Sequence, residues 1–119
     1  KTAYEIKECD WSSDVCSSDL VETPKAAEYQ TRHIYNQFVI RAKDRDKLKA
    51  YLAEQGIGTA IYYPLSLHLQ RCFEYLGHRA GDFPESEKAS AETLAPPIYA
   101  ELTREQIEYV SQSIRAFYR

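Results

Sequence analysis

Cysteine and long apolar runs are both scarce in this chain. Its 119 residues include three cysteines, and no apolar run reaches the roughly 20 residues that a membrane-spanning helix requires. The sequence therefore predicts neither a disulfide scaffold nor a membrane partner. No basic start is followed by an apolar stretch, so we see no secretory signal. With one cysteine, Cys72, outside the first twenty residues, we expect a cytoplasmic protein.

Most of the chain also lacks an excess of positive or negative charge. The formal net charge is −3, but residues 1–20 hold five acids and two bases, which leaves thirteen of each in residues 21–119. A balanced domain gives no electrostatic reason to propose a nucleic acid or an anionic membrane as partner. Residues 21–119 are long enough to bury one small core.

The first twenty residues, KTAYEIKECDWSSDVCSSDL, show neither helical nor strand periodicity. The blocks KTAYEI and DWSSDVCSSDL resemble the translation of two separate parts of a common short-read sequencing adapter. We therefore expect residues 1–20 to be foreign to the gene, with a natural disordered tail as the alternative. This interpretation removes Cys9 and Cys16 as metal or redox candidates and leaves residues 21–119 as the domain.

Apolar patterning predicts a strand, a helix and a second strand in the first half of the domain. HIYNQFVIRAK at 33–43 has apolar groups on both faces, as in a buried strand, and IGTAIYY at 57–63 predicts another. The helix between them begins after Asp44, its expected cap, and ends at Gly56. Its apolar residues recur at helical spacing: Leu48, Tyr51 and Leu52. The order predicts a βαβ-like unit.

Helices dominate the second half. A short helix is predicted over 67–76, with four side chains inward: Leu69, Cys72, Phe73 and Leu76. It ends at Gly77, and a second helix is predicted over 85–94 with Pro84 in its first turn. Thr103 and Gln106 have the spacing of a capping box. An apolar stripe follows them: Ile107, Val110, Ile114 and Phe117. The predicted fold is α/β, a small sheet with three or four packed helices.

Lysine and metal chemistry find little support in the residue pattern. Four lysines of the predicted domain lie in or beside polar helical surface: Lys43, Lys47, Lys49 and Lys88. An imine-forming lysine needs desolvation or a nearby cation, so we predict no catalytic or cofactor-binding residue here. His68 and Cys72 have the spacing of two metal ligands on a helix, but no third ligand follows at a recognisable spacing, and we predict no metal site.

A cluster of polar aromatic residues at the end of the second predicted strand is the most informative feature. Tyr62, Tyr63 and Pro64 precede His68, where a strand end meets a helix start. Two phenols and an imidazole can hydrogen-bond with a polyhydroxylated ligand, and ligands often bind at such strand ends. The alternative is that these aromatic rings pack on the core. Gly56-Ile57-Gly58 is too short for a phosphate-binding loop.

Several blocks, in order, carry a resemblance to a known family. RDKLKAYLAEQGIGTAIYYP, PLSLHLQ, GDFPESEKAS and PIYAELTREQ resemble the C-terminal part of DegT/DnrJ/StrS-type sugar-nucleotide aminotransferases. The resemblance covers residues 33–118. It implies the C-terminal small domain of a fold-type-I enzyme that depends on pyridoxal 5'-phosphate, with the cofactor's lysine in a large domain outside this chain.

The resemblance also implies a reaction and its partners. The intact protein would be a homodimer that moves an amino group, commonly from glutamate, to a keto group of a nucleotide-linked sugar. The implied substrate-binding residues are Tyr63, His68, Tyr62 and Asn36. Residues 21–119 alone are expected to be inactive.

Two alternatives stay open. One is a sugar dehydratase of the same family, in which histidine replaces the large-domain lysine. The other is a stand-alone α/β binding or regulatory module. A domain separated from a larger partner should leave apolar side chains uncovered, and we expect Tyr35, Phe38 and Tyr62 to be exposed.

Overall fold

The computed structural model describes residues 20–25, 27–31 and 35–119. In this part of the chain, one antiparallel sheet has the strand order β1 (Val21–Glu22), β2 (Ile40–Ala42), β3 (Thr93–Leu94). The helices are α1 (Arg45–Glu54), α2 (Pro84–Glu92) and α3 (Arg104–Phe117), and two 3₁₀ helices span Leu67–Leu69 and Arg71–Leu76. A small sheet with helices packed on it confirms the α/β prediction.

The strand predicted over 33–43 is much shorter than expected. Residues 33 and 34 lie outside the described residues, and strand geometry begins only at Ile40. Tyr35 has a left-handed backbone with φ of 44°, a conformation that a strand cannot contain. The chain bends at residues 36–37. The sheet instead gains β1, which the sequence pattern did not predict.

The predicted βαβ unit is wrong. Both neighbours of β2 are antiparallel to it, with Val21 opposite Ala42 and Ile40 opposite Leu94. Residues 57–63 contribute only an isolated antiparallel bridge between Ala60 and Ala95. The place beside β2 is occupied by β3, because the chain returns to the sheet directly after α2.

Helix α1 has the predicted bounds but not the predicted cap. Asp44 lies at the cap position with φ of 53° and makes no side-chain capping bond. Its carboxylate accepts a hydrogen bond from Lys47 Nζ at 2.9 Å instead. Gly56, with φ of 75°, follows the helix as predicted, since glycine adopts left-handed dihedrals without a steric penalty.

The helix predicted over 67–76 is two 3₁₀ helices separated by Gln70, whose backbone is extended. Because a 3₁₀ helix has three residues per turn, the inward set expected from 3.6-residue spacing does not share one face. Cys72 is exposed and Leu76 is 52% exposed, contrary to prediction. Gly77 ends the second 3₁₀ helix as predicted, with φ of 74°.

The helix predicted over 85–94 is also shorter than expected. It is α2, which ends at Glu92, because Thr93 and Leu94 are extended and pair with β2. The structure confirms Pro84 at the start of this helix.

Helix α3 follows its sequence signals closely. Thr103 Oγ1 accepts from the Gln106 amide at 3.3 Å, and Gln106 Oε1 accepts from the Thr103 amide at 2.9 Å, which completes the predicted capping box. Ile107, Val110 and Ile114 are buried. They pack in one cluster with residues of the sheet and α1: Val21, Tyr35, Phe38, Ile40, Ala42, Leu48, Leu52, Ile57, Leu94 and Leu102.

The exposure predicted for three aromatic residues is only partly found. Tyr35 and Phe38 are 8% and 5% exposed, with ring centroids 6.1 Å apart, so the prediction is wrong for both. The left-handed turn at Tyr35 directs this segment into the core. Tyr62 is exposed, as predicted. No helix in the described residues has the length and apolar character needed to cross a bilayer.

Candidate functional site

An open cleft lies where three chain segments meet beside the sheet. Its volume is about 380 Å³, and its lining comes from residues 36–38, 58–60, 62 and 95–98. The first segment leads into β2, the last follows β3, and the middle one is joined to the last by the Ala60–Ala95 bridge. The sheet therefore fixes the position of two walls, and the bridge fixes the third.

The cleft has a neutral polar lining over an apolar base. Asn36, Gln37, Thr59 and Tyr62 provide amide and hydroxyl groups, and the described lining residues include no charged side chain. The apolar lining residues are Phe38, Ala60, Ala95, Pro96, Pro97 and Ile98. Such a surface can hydrogen-bond with a neutral polyhydroxylated molecule. It offers no group that titrates near neutral pH for proton transfer.

The two tyrosines predicted as substrate contacts lie side by side but differ in position. Tyr62 lines the cleft, whereas Tyr63 lies beyond the lining and is 70% exposed. Their rings meet edge to face with centroids 6.2 Å apart, and the peptide bond between them is cis. Asn36 shares the cleft with Tyr62, so the structure brings together two of the four predicted substrate-binding residues.

His68, the fourth predicted contact, is placed elsewhere. Its side chain is 7% exposed and is absent from the described cleft lining. The Nε2 atom lies 3.0 Å from Glu87 Oε1 on α2, and the ring packs on Phe83 with centroids 4.8 Å apart. In this arrangement His68 joins the first 3₁₀ helix to α2.

Glu87 is the electrostatic centre of this second cluster. The backbone N–H of Gly81 donates to Glu87 Oε1 at 2.8 Å, and this bond is the largest cause that lowers the pKa of the Glu87 carboxyl below its ordinary value. Partial burial opposes the lowering, and the hydrogen bond with His68 adds to it. Glu87 therefore stays ionised in mildly acidic solution.

The described residues do not fit a site for pyridoxal phosphate or for a metal. The domain lysines considered above are all exposed, and Lys47 pairs with Asp44. None has the desolvated setting that an imine-forming lysine requires. The Cys72 thiol is directed to Gln70 Oε1 at 3.8 Å rather than to His68, and no group of three potential metal ligands occurs in the described residues.

Three polar residues of these sites are not among the predicted site residues. Gln37 and Thr59 line the cleft, and Glu87 binds His68 across nineteen positions of chain. Thr59 lies three residues before Tyr62 in the predicted strand, a signal that could have identified it. No local pattern marks Glu87, because its partners come from two other segments.

Comparison with known proteins shows what the chain resembles. Residues 14–115 match the DegT/DnrJ/EryC1/StrS aminotransferase family. The match begins within residues 1–20, whose foreign origin stays a prediction. A "pleiotropic regulatory protein" of Geobacillus stearothermophilus is 50% identical over 85% of this chain and 27% of its own length.

One further relative has a name that describes a reaction, and one solved structure contains a ketimine intermediate. The dTDP-3-amino-3,6-dideoxy-alpha-D-galactopyranose transaminase of Aneurinibacillus thermoaerophilus is 35% identical over 71% of this chain and 23% of its own length. The crystal structure of S. venezuelae DesV in complex with a ketimine intermediate superposes with a TM-score of 0.85 and 26% identity, over 91% of this chain and 29% of that one. The chain thus belongs to the DegT/DnrJ/EryC1/StrS aminotransferase family and spans about a quarter of the length of these relatives.

Proposed function

We propose that residues 21–119 are the small domain of a pyridoxal-phosphate-dependent enzyme that transfers an amino group to a keto group of a nucleotide-linked sugar. The supporting observation is the cleft, in which Asn36 and Tyr62 provide neutral hydrogen-bonding groups beside an apolar base. A sugar ring is neutral, carries several hydroxyls and has apolar faces, so this lining matches its chemistry.

In this proposal the chain binds and orients the sugar, and the rest of the intact protein supplies the chemistry. The cofactor, held by a lysine outside this chain, acts as the electron sink. The amino donor is glutamate, and the intact protein is a cytoplasmic homodimer. Tyr62 and Asn36 contact the sugar directly, Tyr63 lies at the rim, and His68 contributes through the segment that carries both tyrosines.

A chimera tests the proposal. Residues 21–119 would replace the matching segment of the Aneurinibacillus thermoaerophilus transaminase, and amino transfer to its dTDP-linked keto sugar would be measured. We expect activity from the chimera and none from the 119-residue chain alone. Amino transfer by the chain alone, or a folded, cofactor-loaded chimera without activity, would contradict the proposal.

Variants of the chimera locate the contact. We expect Tyr62→Ala and Asn36→Ala each to raise KM about tenfold, because each removes a hydrogen-bonding group from the cleft. Tyr29→Ala, which changes an 89% exposed aromatic residue outside the described lining, is the matched control. An equal change in KM for all three variants would place the sugar elsewhere.

A binding or regulatory module is the second candidate, and the name of the Geobacillus stearothermophilus relative favours it. It predicts that the 119-residue chain binds a nucleotide sugar without vitamin B6, as tightly as the chimera does. Calorimetry on both proteins separates the two candidates. The sugar dehydratase alternative is decided by whether the adjoining genomic reading frame encodes histidine or lysine at the cofactor position.

A further inference from the structure

Residues 60–68, which we name the strap, run antiparallel to residues 87–95 and contact them in matched order. The three contacts are the paired backbone bonds of Ala60 with Ala95 at 3.0 and 2.8 Å, Ser66 Oγ with Ser90 Oγ at 3.0 Å, and His68 Nε2 with Glu87 Oε1 at 3.0 Å. Ser90 and Glu87 lie about one turn apart and therefore on the same side of α2. The strap is held at both ends by one continuous stretch of chain.

Tyr62 and Tyr63 lie on the strap between its two fixed ends. Both side chains are exposed, so core packing does not hold them in place. Their position depends on the Ala60 bridge on one side and on the Ser66 and His68 contacts on the other. Ser66 is itself buried and begins the first 3₁₀ helix, which transmits the position of His68 back along the strap.

Glu87 connects three segments of the chain, whereas a hydrogen bond between two residues connects two. Its Oε1 atom accepts from His68 Nε2 and from the Gly81 N–H, so one oxygen connects the strap, the loop before α2 and α2 itself. The His68 ring is further enclosed by Phe83, which also contacts His78 with centroids 5.0 Å apart. Hydrogen bonds that involve an ionised group are stronger than neutral ones, and this one is partly shielded from solvent.

We propose that Glu87 is a positioning residue that holds Tyr62 in the cleft and Tyr63 beside it through its hydrogen bond with His68. The proposal rests on the proposed function only in taking the cleft to be the sugar site. The mechanical link from Glu87 to the strap is a property of the chain itself and can be measured without any ligand.

Protonation of the Glu87 carboxylate should govern its hydrogen bond with His68. His68 donates from Nε2 both as imidazolium and as the neutral tautomer with its proton on Nε2, so the bond persists while Glu87 is ionised. Protonation of Glu87 weakens it. The other titratable groups of this region, His78 and Asp82 of the preceding loop, pair with each other at 3.5 Å. Lys88 on α2 is exposed.

Nuclear magnetic resonance on the 119-residue chain tests the proposal. In Glu87→Ala we expect amide hydrogen exchange at Leu69 and Gln70, which close the first 3₁₀ helix, to rise about tenfold. The ring signals of Tyr62 and Tyr63 should shift, while the Ala60 and Ala95 amides keep their protection. Unchanged tyrosine signals in a folded Glu87→Ala variant would overturn the proposal.

The conservative variant separates positioning from general stability. Glu87→Gln keeps an oxygen acceptor, so we expect native tyrosine signals at neutral pH. In the original chain those signals should change as acid protonates Glu87, and in Glu87→Gln this change should be absent. The same acid response in both chains would overturn the proposal, even if Glu87→Ala does not fold.

A matched control removes the neighbouring pair. His78→Ala deletes the exposed contact with Asp82 and the other histidine on Phe83 but leaves the strap contacts intact. We expect it to leave the tyrosine signals unchanged, and a shift equal to that of Glu87→Ala would overturn the specific role of Glu87. If the strap responds as expected but the chimera binds no sugar, the proposed function fails and the positioning link stands.

Discussion

Two regions of this domain differ sharply in how they are held. Among the described residues, the packed region, residues 38–57 and 93–117, contains every large apolar side chain that is almost completely buried: Ile40, Leu48, Leu52, Leu94, Ile107 and Ile114. The open region, residues 58–92, is described throughout and has Ser66 as its one buried residue. Its 3₁₀ helices contain no residue that is buried as a whole, and His68 is the residue among them whose side chain is enclosed, at 7% exposure.

The packed region therefore provides the stability of the domain, and the open region provides a surface for binding. Hydrophobic burial in the packed region supplies the driving force for folding, and the open region is attached to it by a few polar contacts. Leu65, Leu67, Tyr75 and Leu76 remain exposed in the open region. Exposed apolar side chains of this kind are typical of surfaces that meet another polypeptide. The open region is therefore where we expect other parts of the intact protein to pack.

The largest expected effect is the difference in stability between two variants, each with one leucine truncated in one of the two regions. Leu52→Ala should lower the free energy of unfolding by about 2–5 kcal/mol, because it leaves a cavity in the buried core cluster. Leu67, 63% exposed, loses little on the same change, and Leu67→Ala should stay within about 0.5 kcal/mol. Urea unfolding of both variants measures the contrast. Equal losses would mean that the open region contributes to the core after all.

The next effect tests whether a local capping interaction adds to the stability of the packed region. Thr103→Ala removes the side-chain acceptor of the α3 capping box and should cost about 1 kcal/mol in unfolding free energy. Thr103→Ser keeps the hydroxyl and should retain most of the stability in the same urea titration. A loss as large in Thr103→Ser would show that packing, and not capping, explains the effect.

A smaller effect appears in alkaline solution. Burial, with a contribution from nearby Asp44, raises the pKa of Tyr118 to about 12, from an ordinary value of 10. The stabilisation is complete below pH 10 and is lost as the pH rises to about 12. Tyr118→Phe should therefore flatten the fall of the melting temperature across this range. Tyr109→Phe, which also removes a phenol bonded to a backbone carbonyl, is the control at neutral pH for the loss of such a hydrogen bond.

The smallest effect concerns an exposed ion pair at the start of α1. The hydrogen bond and charge of Lys47 lower the pKa of Asp44, so their contribution is present above the ordinary carboxyl pKa and is lost in acid. Lys47→Ala should return the Asp44 carboxyl titration toward its ordinary midpoint, measured by carbon NMR. Stability should barely change, because exposed ion pairs contribute little. An unchanged Asp44 titration would contradict the pairing.

Local signals in the sequence predicted the helices far better than the sheet. The capping box at Thr103, the stripe that begins at Ile107 and the stops at Gly56 and Gly77 depend on residues close in sequence, and the structure has them all. The strand partners depend on contacts far apart in the sequence: Val21 and Ala42 are 21 residues apart, and Ile40 and Leu94 are 54 residues apart. No period in the sequence reports that pairing or the left-handed turn at Tyr35.

The same distinction applies to the candidate site. Asn36 and Tyr62 lie at the ends of segments that the sequence marked as strand-like, and the structure places both in one cleft. The role of His68 as substrate contact stays a prediction, and the structure places this side chain against Glu87 and outside the described cleft lining. No short-range pattern in the sequence connects His68 with Glu87. Predicting such a cluster requires the relative placement of three segments.

Pro96 and Pro97 follow the Ala60–Ala95 bridge and face the part of the cleft lined by Gly58 and Thr59. Neither proline has an amide hydrogen to donate, so the reciprocal pair of backbone bonds at Ala95 cannot be repeated in this direction. The two prolines thus end the backbone pairing between these two segments. Substitution of side chains that line the cleft can therefore change its chemistry, while the two segments remain unpaired and the cleft stays open.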